Sequence, residues 1–309
     1  MQDLFDKTIK DIKSIKIQGA TAVAINATIA FCYYAKKNSK TKDKKNFWKM
    51  LLSARKALLA TRPTEPAMDN SLNYMLHNIH ITNYDIAEIV AIFEKRKDEV
   101  IKHFERSDEI ISSIGERKIK NGQVIYTHCH SSTVTQILKL AKKNNKRFSV
   151  YITETRPFLQ GRITARELSK QGIAIKYFVD SAARQAIKAA DMMLIGADAI
   201  SSTGKVINKI GSEMFAEVAK LYDVPVYVCT DSWKFDPKSI FGYEINIEKR
   251  PKEEYWPSAP KGVSIHNEIF EKVDPDLISG IISEMGIYPP GIFAEEMRRS
   301  YKWLFVPRK

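Results

Sequence analysis

Cysteine is scarce in this 309-residue chain, which contains only Cys32, Cys129 and Cys229. Three widely spaced cysteines without a CxxC pair argue against a disulfide framework or a zinc knuckle. They fit the reducing cytosol, so we expect a cytoplasmic protein. Asp3 and Asp6 interrupt the start of the sequence, so no secretory signal is expected. We expect Cys32 and Cys229 to be core residues.

Long apolar runs and common catalytic signatures are also missing. No stretch is apolar over the roughly 20 residues that a membrane-spanning helix needs, so we expect no membrane partner. The chain has no GxGxxG, no Walker lysine loop and no GxSxG. No basic stripe is interleaved with aromatic residues, which argues against nucleic-acid binding. The formal charge of +13 therefore fits either an anionic substrate or a lysine-rich solvated surface.

The hydrophobic pattern changes character near residue 120. The first roughly 115 residues show helical spacing, including an alanine-rich segment at 20–36 and a second helix at 46–60. Beyond them, short apolar runs alternate with helical segments, which is typical of βαβ units. We therefore predict an α/β protein with an N-terminal helical domain at 1–118, followed by a Rossmann-like domain with a parallel sheet at 119–309.

Five strands and four helices are predicted in the second domain. The strands are expected at 124–126, 148–152, 173–178, 192–195 and 224–228, and the helices at 132–142, 165–170, 182–189 and 214–221. Parallel sheets of this kind bind ligands at the carboxyl ends of their strands. The residues that follow each apolar run are therefore the first candidates for chemistry.

A thiol follows the first of these strands. A nearby helix N-terminus and the flanking His128 and His130 would lower the pKa of Cys129, so that it acts as a base or nucleophile. The alternative is an inert buried cysteine. The two histidines do not indicate zinc, because a zinc site needs three or four converging ligands and no second cluster is evident. We predict no metal and no cofactor.

A carboxylate follows the fourth strand. Asp198 has only small neighbours, Gly196, Ala197 and Ala199, so desolvation would raise its pKa as suits a catalytic acid. The alternative is an aspartate that forms a turn. Ser131, Ser132 and Thr133 open a helix whose free N–H groups would hold a phosphate, or they simply cap it.

Several motifs together resemble the superfamily that contains methylthioribose-1-phosphate isomerase, ribose-1,5-bisphosphate isomerase and the regulatory subunits of eukaryotic initiation factor two-B. The motifs are Thr127-His128-Cys129, Thr155-Arg156-Pro157 with Gln160-Gly161-Arg162, Gly196-Ala197-Asp198-Ala199 and Asn208-Lys209-Ile210-Gly211, with Gln18-Gly19-Ala20 and Arg62-Pro63-Thr64 upstream. The likeness covers nearly the whole chain. The Cys-His-Ser-Ser segment resembles the archaeal bisphosphate isomerases in particular.

The resemblance implies an aldose–ketose isomerase of a phosphorylated pentose, in which Cys129 removes the C2 proton and Asp198 protonates the ring oxygen. A hydride shift is the alternative. Residues implied in substrate binding are Gln18, Gly19, Ala20, Thr21, Arg62, Ser131, Ser132, Thr133, Arg156, Asn208, Lys209 and Lys234. One phosphate is assigned to Gln18–Thr21 with Arg62 and Lys234, the other to Ser131–Thr133, and the sugar hydroxyls to Asn208 and Lys209.

Gln18 departs from the pattern, because the active enzymes of this superfamily have arginine there, with its charged bidentate fork. The reaction that the resemblance implies is conversion of ribose 1,5-bisphosphate to ribulose 1,5-bisphosphate in nucleotide (AMP) salvage. Because of Gln18 the exact substrate stays open, and methylthioribose 1-phosphate is the alternative. An initiation-factor-like regulatory subunit without turnover is a further alternative. The resemblance also implies a homo-oligomer, a hexamer, with AMP as activator.

Overall fold

The structure, a computed structural model, describes residues 3–79, 83–247, 249 and 251–305. The chain forms two compact units. One runs to Arg106 and also holds Trp233–Phe235 and the segment that begins at Arg298. The other comprises Ser107–Ser232 and Asp236–Met297. The division at Arg106 falls inside a long helix, so helical periodicity alone does not mark it.

The first unit is helical. Its helices are α1 (Leu4–Lys13), α2 (Ala20–Lys37), α3 (Lys44–Leu59), α4 (Pro66–Leu76) and the first part of α5 (Ile86–Glu116). Asp3 and Asp43 cap α1 and α3 by accepting backbone N–H bonds in the first turn. Pro66 occupies the first turn of α4, where a missing N–H does no harm. The helices predicted at 20–36 and 46–60 are confirmed.

Alanine makes α2 the central helix of this unit. Its alanines at 24, 27, 30 and 35 are fully buried, and small side chains let neighbouring helices approach closely. The core around α2 is rich in aromatic residues, including Phe31, Phe47 and Phe93. Cys32 lies in this core, as expected, and burial raises the pKa of its thiol to about 12.

The second unit alternates strands and helices. In chain order these are β1 (Val124–Thr127), α6 (Ser132–Lys143), β2 (Ser149–Thr153), α7 (Gly161–Ser169), β3 (Ala174–Phe178), α8 (Ala183–Lys188), β4 (Met192–Ile195), β5 (Ala199–Ile200), β6 (Val206–Lys209), α9 (Ser212–Leu221), β7 (Val226–Cys229), β8 (Phe270–Val273), β9 (Gly280–Ser283), β10 (Gly286–Tyr288) and α10 (Pro290–Ser300). All five predicted strands and all four predicted helices are present.

Seven of these strands form the main sheet, in the order β10-β9-β7-β4-β1-β2-β3. Every neighbouring pair is parallel except β9 and β10. From β1 the chain moves outward to β2 and β3, and then returns to β4 on the other side of β1. The order therefore reverses between β1 and β4, and open α/β sheets bind ligands at such a switch point.

A second sheet was not predicted. It contains β5, β6 and β8, paired antiparallel. Two of its strands follow β4 directly, so the chain leaves the main sheet and returns to it at β7. Because β5 has only two residues and β6 ends in the polar pair Asn208 and Lys209, neither shows an apolar strand pattern.

The core of the second unit lies between the main sheet and its helices. It includes Ile125, Leu138, Ile152 and Leu194. Cys229 is fully buried there, as expected, and desolvation raises the pKa of its thiol. Among the helices of the described residues, none combines the length and the apolar character needed to cross a membrane.

Candidate functional site

The segments that carry Cys129 and Asp198 follow β1 and β4, the strands that flank the switch point. They are in close contact. A Cβ atom built on Gly196 would lie 2.7 Å from Ser131 Oγ, so only glycine lets β4 end beside the loop after β1. The charge of Asp198 also raises the pKa of the Cys129 thiol. The structure thus brings the predicted pair together.

The backbone of Cys129 is held in an unusual conformation. Its φ is 67°, in the left-handed region that non-glycine residues seldom adopt. Its N–H donates to Thr155 Oγ1 at 3.0 Å, and its carbonyl accepts from Thr164 Oγ1 at 3.0 Å. Both threonines are buried. Strained backbone of this kind persists where its surroundings over-determine it, as at functional sites.

The thiol of Cys129 is buried and protonated at rest. Its Sγ donates to Gln160 Oε1 at 3.3 Å. Desolvation raises the pKa of this thiol to about 11, and the negative charges of Asp198 and Asp180 act in the same direction. The positive charge of Lys209 and the backbone N–H of His130 oppose that rise.

The expectation that His128 and His130 lower the pKa of Cys129 is wrong. Burial lowers the pKa of His128 to about 4, and it also holds the pKa of His130 below its ordinary value. Both rings are therefore neutral near pH 7 and supply no positive charge. The cation that acts on the thiol is Lys209, which was predicted only to hold a sugar hydroxyl.

His130 instead supports the backbone of Cys129 indirectly, through a hydrogen bond to Thr164. Its Nδ1 lies 3.0 Å from Thr164 Oγ1, whose hydroxyl donates to the Cys129 carbonyl. Because that hydroxyl hydrogen is already used, Nδ1 must be the donor to Thr164 Oγ1. On its other side, the ring faces Glu167 at 3.8 Å.

The loop after β2 forms one wall of the site. It contains a cis peptide bond between Arg156 and Pro157, and Thr155 and Leu159 both have positive φ. The carboxylate of Asp180 holds the loop by accepting the N–H of Thr155 at 2.8 Å and that of Arg156 at 2.7 Å. The Arg156 side chain itself is exposed.

Gly161 lets this loop return against the strand from which it came. A Cβ atom at this position would lie 2.0 Å from the Thr153 carbonyl oxygen, which no side chain could tolerate. The glycine therefore opens α7 directly beside the end of β2. This close approach also places Gln160 next to Cys129.

Asn208 and Lys209 lie on opposite faces of β6, because successive strand residues alternate. The Asn208 amide donates to Ser212 Oγ at 2.9 Å. Lys209 is 6% exposed, and its Nζ lies 4.6 Å from the Phe270 ring centroid and 5.7 Å from that of Phe158. Within the described ranges, no carboxylate forms an ion pair with this lysine. Cation–π contacts thus support a buried charge that is suited to an anionic ligand.

Ser131 caps α6, since its Oγ accepts the N–H of Val134 at 3.3 Å. Thr133 is buried and donates to Asp108 at 3.4 Å, whereas Ser132 is exposed. The capping alternative therefore holds for the Ser131 side chain. The backbone N–H groups of the first turn remain candidates for a phosphate.

The remaining predicted residues belong to the first unit. Gln18 is exposed before α2, and Gly19 caps that helix with a φ of 87°. Ala20 is buried and Thr21 half-buried in the first turn of α2. Arg62 is buried and pairs with Glu65 at 2.8 Å, and Lys234 is buried too. Their assignment to a phosphate stays a prediction.

Several residues that shape the site were not predicted to do so. They are Thr155, Gln160, Thr164 and Asp180, together with the two rings that support Lys209. Thr155 and Gln160 were visible as parts of the Thr155-Arg156-Pro157 and Gln160-Gly161-Arg162 motifs. The others depend on contacts between elements, such as the pairing of β6 with β8, that no local pattern reveals.

Comparison with known proteins agrees with this geometry. Residues 16–290 match the Initiation factor 2 subunit family. The chain is 36% identical to the ribose 1,5-bisphosphate isomerase of Thermococcus kodakarensis, over 94% of this chain and 93% of that protein. It is also 36% identical to the enzyme of the same name from Pyrococcus furiosus, over 96% and 94%. A solved structure of the translation initiation factor eIF-2B from Pyrococcus horikoshii OT3 is similar with a TM-score of 0.81 and 27% identity, covering 94% of this chain and 98% of that one.

Proposed function

Since the chain belongs to the Initiation factor 2 subunit family, we propose that it is an aldose–ketose isomerase that converts ribose 1,5-bisphosphate to ribulose 1,5-bisphosphate. The support comes from relatives of that name, which match nearly the full length of the chain. The observation that carries the proposal is the placement of a thiol and a carboxylate after the two strands at the switch point.

The reaction needs an acid and a base on different atoms of the sugar. The anomeric oxygen is esterified, so the ring opens only when the bond between C1 and the ring oxygen breaks and that oxygen gains a proton. We assign this proton to Asp198 in its carboxylic acid form, whereas the carboxylate form is the one that raises the pKa of the Cys129 thiol. Cys129, as thiolate, takes the proton from C2. A proton then adds to C1 and the C2 hydroxyl loses its own, which leaves a C2 ketone and no net gain or loss of atoms.

Lys209 suits the intermediate of this reaction. Negative charge develops on the C2 oxygen when the C2 hydroxyl loses its proton, and a preorganised cation in a dry site stabilises such charge strongly. Lys209 is buried and electrostatically coupled to Cys129. We therefore assign it to a sugar oxygen, close to the hydroxyl role expected from the sequence.

Turnover of defined substrates tests the proposal. The purified protein is incubated with ribose 1,5-bisphosphate and, separately, with methylthioribose 1-phosphate, each with and without AMP, and ketose formation is followed. We expect product from the bisphosphate. Product from methylthioribose 1-phosphate alone would reassign the substrate. Absence of product in all four mixtures would contradict the proposal and favour a regulatory subunit, consistent with the fold shared with the P. horikoshii factor.

Two variants test the assigned roles. Cys129→Ser removes the thiolate, and Asp198→Asn keeps the shape of the side chain without its proton. Each is expected to lower kcat by at least about 100-fold, the range typical for a lost general acid or base. Full activity in Cys129→Ser would refute the mechanism even if the function survived.

We also propose that the protein is a cytoplasmic homohexamer activated by AMP. The resemblance to bisphosphate isomerases supports the assembly and the activator, and three free cysteines support a reducing compartment. Light scattering tests the assembly, because six chains of 35.3 kDa amount to about 212 kDa. A mass near 35 or 70 kDa would contradict the hexamer.

A further inference from the structure

His128 connects two segments of the site that are far apart in sequence. Its Nδ1 lies 2.9 Å from Thr153 Oγ1, and its Nε2 lies 2.9 Å from the carbonyl oxygen of Ile210. A carbonyl can only accept, so Nε2 carries the ring proton. In the neutral ring, Nδ1 then accepts from the threonine hydroxyl. The two hydrogen bonds select one tautomer and hold the ring from both sides.

The surroundings of the ring leave it little freedom. It is 2% exposed, and the Phe215 ring packs against it at a centroid distance of 4.8 Å and an interplanar angle of 82°. Gly211 has a φ of 99°, and a Cβ atom there would lie 3.3 Å from His128 Nε2. Both ring nitrogens are occupied by these two hydrogen bonds, so neither is placed to take up or release a proton in the reaction.

The hydrogen bond between His128 and Ile210 is important because of which residues are next to each of them in the sequence. His128 directly precedes Cys129, and Ile210 directly follows Lys209. The bond to the Ile210 carbonyl therefore joins the backbone beside the thiol to the backbone beside the ammonium. Lys209 has no acidic partner in the described part of the chain that would fix its distance from the thiol instead.

We infer that His128 is a positioning residue, which holds Lys209 at a set distance from Cys129 through the Ile210 carbonyl. Its catalytic consequence rests on the proposed isomerase function. Its effect on thiol reactivity does not, because that effect is measurable without substrate.

A matched pair of variants tests the bond to Ile210 separately from the bond to Thr153. In His128→Gln, the longer amide reaches the Nε2 position and keeps a donor for the Ile210 carbonyl. In His128→Asn, the shorter amide reaches only the Nδ1 position. Lys209→Met serves as the reference for full loss of the cation. The carboxylates of Asp198 and Asp180, which also act on the thiol, are unchanged in all three.

The measurement is the rate at which iodoacetamide alkylates Cys129 between pH 7 and pH 9. Mass spectrometry of the Cys129 peptide separates this reaction from those of the other two cysteines. Loss of a nearby opposite charge raises a thiol pKa by about one unit or more. We expect His128→Asn and Lys209→Met to react about tenfold more slowly than the wild type at each pH, and His128→Gln to stay within about twofold of the wild type.

A double variant distinguishes positioning from general damage. His128→Asn combined with Lys209→Met should react no more slowly than Lys209→Met alone, because the histidine acts through the lysine. Additive slowing would overturn the inference, and so would normal alkylation in His128→Asn. If that variant fails to fold, Gly211→Ala displaces the same ring and should slow alkylation equally. A wild type that alkylates as expected but turns over no sugar would refute the proposed function and leave this inference standing.

Discussion

The buried thiol of Cys129 makes the pH dependence of turnover the sharpest test of its role as a base. Burial raises the pKa of this thiol from an ordinary value near 9.0 to about 11. Only the thiolate can accept the C2 proton. Well below the pKa, the thiolate fraction rises tenfold per pH unit, from about 10⁻⁴ at pH 7 to about 10⁻² at pH 9.

In the Asp198→Asn variant, where the acid no longer titrates, the expected result is an increase of about 100-fold in kcat/KM between pH 7 and pH 9, with a logarithmic slope near +1. In the wild type, the protonated fraction of the Asp198 carboxyl falls as the thiolate fraction rises, which offsets this increase. The rise in the pKa of the Cys129 thiol from 9.0 to about 11 makes formation of the thiolate less favourable by about 3 kcal/mol. A thiol with an ordinary pKa would instead show a slope that flattens as pH 9 is approached.

The assay is steady-state formation of ribulose 1,5-bisphosphate in buffers of constant ionic strength. The substrate phosphates lose their second protons near pH 6, so their charge contributes no slope above pH 7. Circular dichroism at each pH confirms that the fold is intact. A profile of Asp198→Asn that is flat from pH 7 to pH 9, or one that falls, would refute the assignment of Cys129 as base and favour a hydride shift.

Three further predictions concern the loops that hold the site. Gly161→Ala would place a methyl group 2.0 Å from a backbone carbonyl. We expect a loss of about 3 kcal/mol or more in the free energy of unfolding by urea, and an unchanged midpoint would contradict this packing. The control for glycine replacement is Gly291→Ala, because a Cβ atom at Gly291 would meet nothing within 4 Å. Asp180→Ala removes the acceptor of two backbone N–H groups, so we expect the free energy of unfolding to fall by about 1–3 kcal/mol. We also expect kcat to fall by a larger factor than this loss of stability alone would cause. Asp180→Asn can accept only one of the two hydrogen bonds, so its stability and its kcat should be intermediate. Ser131→Ala removes the side chain that caps α6 and should lower the free energy of thermal unfolding by about 1 kcal/mol. Ser131→Thr should lower it by less. Equal stability of the wild type and both variants would show that the cap contributes nothing.

The sequence is most informative where local pattern and chemistry coincide. Apolar runs separated by helical segments locate the strands and helices around β1 and β4, because each strand buries continuous apolar faces in a parallel sheet. Cys129 and Asp198 could be predicted as a pair because both follow such runs. The order of the strands, and hence the switch point between β1 and β4, follows from pairing and has no local signal.

Prediction fails where a residue depends on partners that are distant in sequence. Lys209 was predicted only as a residue that holds a sugar hydroxyl, but it is the last residue of an antiparallel strand, and its ammonium contacts two aromatic rings. The flanking histidines looked like cations, but burial makes them neutral. Desolvation depends on the whole surroundings of a group, so neighbours in sequence do not determine it.

The conformation of Cys129 has a consequence for how activity and fold can separate during evolution. The main chain at this position is held by the hydroxyls of Thr155 and Thr164 through its own N–H and carbonyl groups. The sulfur takes no part in either bond. Glycine or asparagine would occupy a φ of 67° with less strain than cysteine does. Replacement of Cys129 by either residue would thus remove the thiol and leave both backbone hydrogen bonds in place, so that catalysis can be lost without loss of the fold.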